Sequence, residues 1–286
     1  MNNLISNNII VTSEPENEEN LKIKKMICRA TNRVRLGLFF LLAFSGLVLP
    51  GYGAAQSYKI THCYQGCPQG ASDANHLVIR PIYTLSYNTN RKSADWVAYK
   101  VSVASIGIAS SLPRLPRVDS FVPDTLTGND FLRAEIVGMV RSQYVPIVDF
   151  AGTPYWNEVN YLTNSVAQTK GLAQGAWNGL DWAVRNLVNR EGEAYVLTGP
   201  IFKTEPTVSY LLADTPHRVP DAFFKIIITA RGLGAAFMLE QDSPIYLHHC
   251  EQRTSIEDIE QATGLRLFPE RTLTIVNSVF QLLGCY

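Results

Sequence analysis

The sequence predicts an α+β domain built on a central, mostly antiparallel sheet. Five runs rich in β-branched and aromatic residues, several of them alternating apolar with polar positions, lie between residues 82 and 240. A long stretch between the second and third of these carries apolar residues at helical spacing. No internal repeat, low-complexity tract or long linker divides residues 56–286, which therefore read as one domain.

The N-terminus stands apart from that domain. Arg29, Arg33 and Arg35 precede the apolar run LGLFFLLAFSGLVL, and small residues follow at Gly53 and Ala55. A basic region, a short apolar region and small residues one position apart are the parts of a secretory signal, here cleaved after about Ala55. A permanent membrane span needs about 20 apolar residues, more than this run supplies. The polar, acidic residues 1–25 are unusual ahead of a signal and make Met26 a candidate start. The domain after the signal is expected to be exported, secreted or periplasmic, and free of the membrane.

Removal of residues 1–55 leaves 19 of the 25 Lys and Arg and 21 of the 25 Asp and Glu, a formal charge of −2. That balance excludes a generic polyanion binder driven by a global positive field and leaves room only for a local cationic cleft. With 46% hydrophobic residues, the chain can bury a full core. Four cysteines remain after the signal: Cys63, Cys67, Cys250 and Cys285. An even number in an exported chain favours two disulfides; of the three pairings, Cys63–Cys67 with Cys250–Cys285 is the simplest. A zinc site is the alternative, since His62 and the pair His248–His249 flank cysteines, although their spacing matches no common zinc module.

In chain order, strands are expected at 82–88 and 95–104. The Pro-rich segment 110–130, with Arg114 and Arg117, reads as a long surface loop. Tyr144–Phe150 is strand-like and leads into a turn containing Gly152 and an aromatic pair. In residues 174–192, Trp177, Leu180, Val184, Leu187 and Val188 share one helical stripe that Gly192 ends. Strands follow at 193–202, 222–229 and 235–240. A second helix starts at a capping box of Thr254 and Glu257 and stops at Gly264, and a last helix spans 271–284.

Several separate stretches carry a resemblance over essentially the whole domain: CYQGCPQG (63–70), YTLSYNTNRKSADWVAYKV (83–101), DFAGTPYWNEVNYLTNSVAQ (149–168), LAQGAWNGLDWAVR (172–185), YVLTGPIF (195–202) and PHRVPDAFFKII (216–227). In order and spacing they resemble the secreted DNA/RNA non-specific endonucleases of the ββα-metal type, the Serratia nuclease group. The cysteine pattern agrees with that family. The resemblance implies an antiparallel sheet with helices on both faces and a catalytic strand–loop–helix unit. It also implies cleavage of phosphodiesters: a His deprotonates water, an Asn binds Mg²⁺ directly, and arginines hold the phosphate.

Both central groups differ in this chain. The family's Asp-Arg-Gly-His falls on Val140, Arg141, Ser142 and Gln143, and the Asn before Gln-Gly-Ala-Trp falls on Ala173. Glutamine does not titrate near neutrality, and loss of a general base typically removes about 10²–10⁴-fold of rate. Alanine offers Mg²⁺ no oxygen. Arg114, Arg141 and Arg185 fall on cleft arginines, Asn164 lies within the cleft segment, and Asp181 takes the place of an acid that binds metal-coordinated water. Each has a plain structural alternative. Asp181 and Arg185 are four apart on a helix and would form a surface ion pair. Arg141 would be a solvated charge at a strand edge and Arg114 an exposed loop residue; Gln143 would be a bonded core amide and Ala173 helix filler. Asp149, on the opposite strand face from Gln143 by alternation, is a poor replacement base. None of His62, His76, His217, His248 and His249 lies in the catalytic stretch, and His217 reads as structural.

The sequence thus points to a secreted, disulfide-bonded pseudoenzyme of a nuclease family, keeping an arginine cleft for nucleic acid or a surface for a protein partner. The alternative is a working metal-dependent endonuclease with displaced catalytic groups. Mg²⁺ is the cofactor if the chain is active, with none expected otherwise.

Overall fold

A computed structural model describes residues 59–203, 209–214 and 217–286. The expected signal at 1–55 lies outside the described residues. The main sheet has seven strands: β1 (His76–Ile79), β2 (Tyr83–Asn88), β3 (Ser93–Ser102), β6 (Glu193–Ile201), β7 (Ala222–Thr229), β8 (Leu233–Glu240) and β9 (Thr274–Ile275). They lie side by side in that order, and every neighbouring pair is antiparallel except β8–β9. β4 (Met139–Gln143) and β5 (Ser165–Thr169) form a separate antiparallel pair.

The alternation along β7 explains the layering. Phe223 and Ile227 face one apolar cluster, whereas Ala222, Phe224, Ile226 and Ile228 face the other. The first cluster is covered by α2 (Asn178–Glu191) and α4 (Asn277–Leu282), and the second by α3 (Ile256–Thr263). The stripe from Trp177 to Val188 is buried against the sheet, and Gly192 ends α2 with φ of 90°. Disulfides join Cys63 to Cys67 and Cys250 to Cys285.

Four local expectations need correction. Tyr144–Phe150 is not a strand; the strand is Met139–Gln143, and Pro146 starts a 3₁₀ turn at Ile147–Asp149. The run is apolar because it is buried, without the alternation that a half-buried strand requires. The helix expected from 174 is regular only from Asn178, because a π turn at Ala173–Trp177 precedes it. There Gly175 is non-helical, and a Cβ on it would meet the Ile245 carbonyl oxygen at 2.6 Å. The capping box of α3 is Ser255 with Asp258, one residue later than Thr254 with Glu257. Within 271–284, Thr274 and Ile275 pair with β8 before α4 begins, so the last helix is short.

Among the described residues, no helix is long and apolar enough to cross a membrane.

Candidate functional site

The chain around the expected centre folds as two strands and a helix. β4 pairs with β5 in the register Arg141 to Ala167 and Gln143 to Ser165. β5 runs into Thr169, whose hydroxyl accepts from the Leu172 amide and starts the short helix α1 (Lys170–Leu172). The π turn and α2 follow, so Gln143 ends one arm of the unit while Ala173, Asp181 and Arg185 ride on the other.

Arg141 and Gln143, two apart on β4, share a face. The Gln143 Nε2 donates to the Val159 carbonyl over 2.7 Å. Arg141 Nη2 donates to the carbonyl of Arg114 over 2.7 Å, which ties the Pro-rich loop to β4. Its Nη1 is buried and finds no acceptor among the described residues. Burial pulls the pKa of Arg141 down from its ordinary value, yet a guanidinium stays charged at any physiological pH. The Arg114 side chain is exposed, and neither arginine has an ion pair among the described residues.

Asn164 does not line a cleft. It is fully buried; its Oδ1 accepts from the Val145 amide, and its Nδ2 donates to the carbonyls of Val145 and Val159. The residue is a backbone clamp, and it shares the Val159 carbonyl with Gln143.

The expected surface ion pair between Asp181 and Arg185 is replaced by two buried pairs with other partners. Arg185, 13% exposed, donates to Asp149 over 3.1 Å. Asp181 accepts from Lys225, which is fully buried on β7 and lies 3.6 Å from the centre of the Trp177 ring. Asp149 itself is buried in the turn after β4, so the strand alternation used to place it does not apply. Burial first and the Asp181 charge second push Asp149 up to about 7, against the pull of Arg185. Beside them, burial and then the Asp149 charge hold the Tyr99 phenol well above its ordinary range. Asp149 and Lys225 were missed as partners of this face. Each shows in sequence as the single charge in an apolar run, VPIVDFAG and AFFKIIIT.

This donor set does not fit a Mg²⁺ ion. At the position the resemblance gives to the metal ligand, Ala173 brings a methyl group, and Asp181 already holds a buried ammonium. Lys225 takes only Oδ1 of Asp181, so these two positions offer an octahedral, oxygen-seeking cation a single side-chain oxygen, Oδ2.

The loop that carries Arg114 is firmly seated. Buried Arg80 donates to Asp119 over 2.6 Å and to Glu158 over 3.2 Å, and its guanidinium lies 3.9 Å from the Tyr161 ring centre. Arg117 covers the same ring at 4.3 Å and donates to the Tyr161 hydroxyl. His62, one of the residues behind the zinc alternative, instead sits within 3.0 Å of the Thr84 hydroxyl and 3.2 Å of the Pro81 carbonyl.

Residues 60–272 match the family model described as DNA/RNA non-specific endonuclease. The chain belongs to that family. Among the family's characterised members, a nuclease of Serratia marcescens is 30% identical over 243 residues, 79% of this chain and 87% of that protein. A nuclease of Syncephalastrum racemosum is 28% identical over 228 residues, 71% of this chain and 69% of that one. A crystal structure of the EndoG/EndoGI complex superimposes with a TM-score of 0.63 at 21% identity, covering 76% of this chain and 94% of that chain. The endonuclease family's ββα-metal fold is thereby present, with β4, β5 and α2 as its strand–strand–helix unit.

Proposed function

We propose that this DNA/RNA non-specific endonuclease homologue is an exported, catalytically impaired member that binds nucleic acid through Arg141 and Arg114. The observation that carries this reading is Arg141, a half-buried guanidinium whose Nη2 is tied to the loop and whose Nη1 finds no acceptor among the described residues. A phosphate oxygen is the natural partner for such a donor. Next to it, Gln143 already spends its amide N–H on Val159, and a carboxamide cannot take a proton from water near neutral pH. With Ala173 in place of an oxygen ligand, the nucleophile and the metal are both unsupported, and the two lesions act on one step.

Arg185 has a smaller part than the resemblance implies, because its guanidinium is already held by Asp149. Cleavage of the leader after about Ala55, export and a single domain over 56–286 belong to the same proposal.

The second reading, an active endonuclease with a displaced base, is favoured by Asp149 alone. Its pKa of about 7 suits a proton acceptor. Its 1% exposure and its contact with Arg185 argue against access to a substrate water.

The mature protein and a Gln143→His/Ala173→Asn variant are to be incubated with plasmid DNA and RNA in Mg²⁺ and in Mn²⁺. The impaired reading expects cutting by the repaired variant and none above background by the parent. Robust cutting by the parent would sink it, and loss of that activity in Asp149→Asn would establish the second reading.

A further inference from the structure

We propose that His248 and His249 form a binding site for a divalent transition ion of borderline softness, Zn²⁺ or Cu²⁺. The site is separate from the candidate nuclease centre. It faces Gly179 and Trp182 on α2, whereas Asp181 and Arg185 project from the opposite side of that helix.

Three independent observations support the site. First, the two imidazole rings lie 4.2 Å apart, and single donor atoms of His248, His249 and Cys250 all fall within 4.8 Å of one another. The Cys250 sulfur is bonded to Cys285, so the protein ligands are the two imidazoles, and water completes the coordination shell. The zinc alternative read from the sequence relied on its cysteines and is overturned by the two disulfides; the site proposed here uses imidazoles alone.

Second, His249 is set up as a ligand. It is 4% exposed, and its Nε2 lies 3.1 Å from the Leu283 carbonyl. A carbonyl only accepts, so Nε2 carries the proton and Nδ1 presents a lone pair. That buried Nδ1 finds no donor among the described residues. A backbone carbonyl fixing one ring nitrogen while the other stays open is the usual support of a metal-bound imidazole.

Third, there is room for an ion. Both histidines line a cavity of about 430 Å³ with Gly179 and Trp182. Gly179 is the residue that faces Nδ1, and a Cβ placed on it would sit 3.5 Å from that nitrogen. Metal–imidazole bonds are about 2.0–2.1 Å long, so a methyl group there would occupy space the ion and its waters need. Imidazole pairs with open water positions suit Zn²⁺ and Cu²⁺, with Cu²⁺ the tighter of the two.

The full, disulfide-intact protein is to be titrated with Cu²⁺ in a non-coordinating buffer, followed by electron paramagnetic resonance and by quenching of tryptophan fluorescence, and then competed with Zn²⁺. The expected result is one equivalent of Cu²⁺ with a two-nitrogen hyperfine pattern, displaced by excess Zn²⁺. His249→Gln should weaken binding at least about tenfold, as ligand and supporting contacts typically do. Gly179→Ala is the decisive control. Alanine favours a helix over glycine, so the fold is kept, yet the methyl group crowds the ion and binding should also weaken. No stoichiometric binding by the parent would overturn the proposal. So would equal affinity in the parent, His249→Gln and Gly179→Ala, which would mark adventitious surface binding.

Discussion

Arg185 on α2 donates to Asp149 in the turn after β4 over 3.1 Å, and the contact is almost fully removed from water. It ties the helix of the ββα unit to the turn that follows the strand bearing Gln143. Asp149 also feels Asp181, so the face of α2 that the resemblance assigns to phosphate and metal is neutralised from within by Asp149 and Lys225.

Asp149 should give the protein a distinctive pH response. Its folded pKa of about 7 lies above the ordinary aspartate value, so between the two the folded chain holds a proton that the unfolded chain has released. Stability present below the ordinary value is therefore lost as pH rises through about 7. Thermal unfolding of the parent and Asp149→Asn, compared from about pH 5 to about pH 8, should show the parent losing more Tm over that window. Parallel curves would show that Asp149 titrates as an ordinary carboxylate.

Lys225 should be costly to remove alone and cheaper to remove with its partner. Lys225→Met leaves Asp181 buried with no cation against it, a loss of about 3–5 kcal/mol in comparable cases. Lys225→Met/Asp181→Leu removes both charges and keeps much of the volume, so urea unfolding should report a smaller loss than the single change. A double variant at least as damaged as Lys225→Met would mean that packing around Trp177, rather than the ion pair, governs this spot.

Arg114 and Arg141 should both register in salt-dependent binding, but differently. Each phosphate contact removed lowers the slope of log K against log salt by about 1. Arg114→Gln should do this for a single-stranded oligonucleotide without changing Tm, because its side chain is exposed. Arg141→Gln should lower the slope and also loosen the loop, since its hydrogen bond to the Arg114 carbonyl is lost. Anisotropy titrations at several salt concentrations would decide. Unchanged slopes in both variants would move nucleic acid off this surface and leave a protein partner as the reading.

The frame of the molecule was legible because it depends on periodicity. Strands β2, β3, β6, β7 and β8 and the buried stripe of α2 all follow from residue spacing. The misreadings arose where burial overrode spacing. Tyr144–Phe150 is apolar on all sides of a turn, and Thr254 and Ser255 compete for one cap that geometry awards to Ser255. Within the site, the resemblance singled out Gln143 and Ala173, and the proposed function rests on that reading of the two positions. Their surroundings were not legible, because Asp149 and Lys225 meet α2 only through long-range packing. Asn164 was misplaced for a related reason. A polar residue in a cleft segment and a polar residue clamping buried amides have the same spelling.

The two-stranded sheet of β4 and β5 carries Arg141 and Gln143, while the seven-stranded sheet carries most of the apolar core. Residues 143 and 173 hang from the smaller unit, where neither fills a large cavity in the core. On the proposed reading of these positions, a lineage can exchange them at little cost in folding free energy, and drift there is held back by selection for cleavage rather than by stability. Once that selection relaxes, the hydrolytic residues are among the first a scaffold of this design is free to lose.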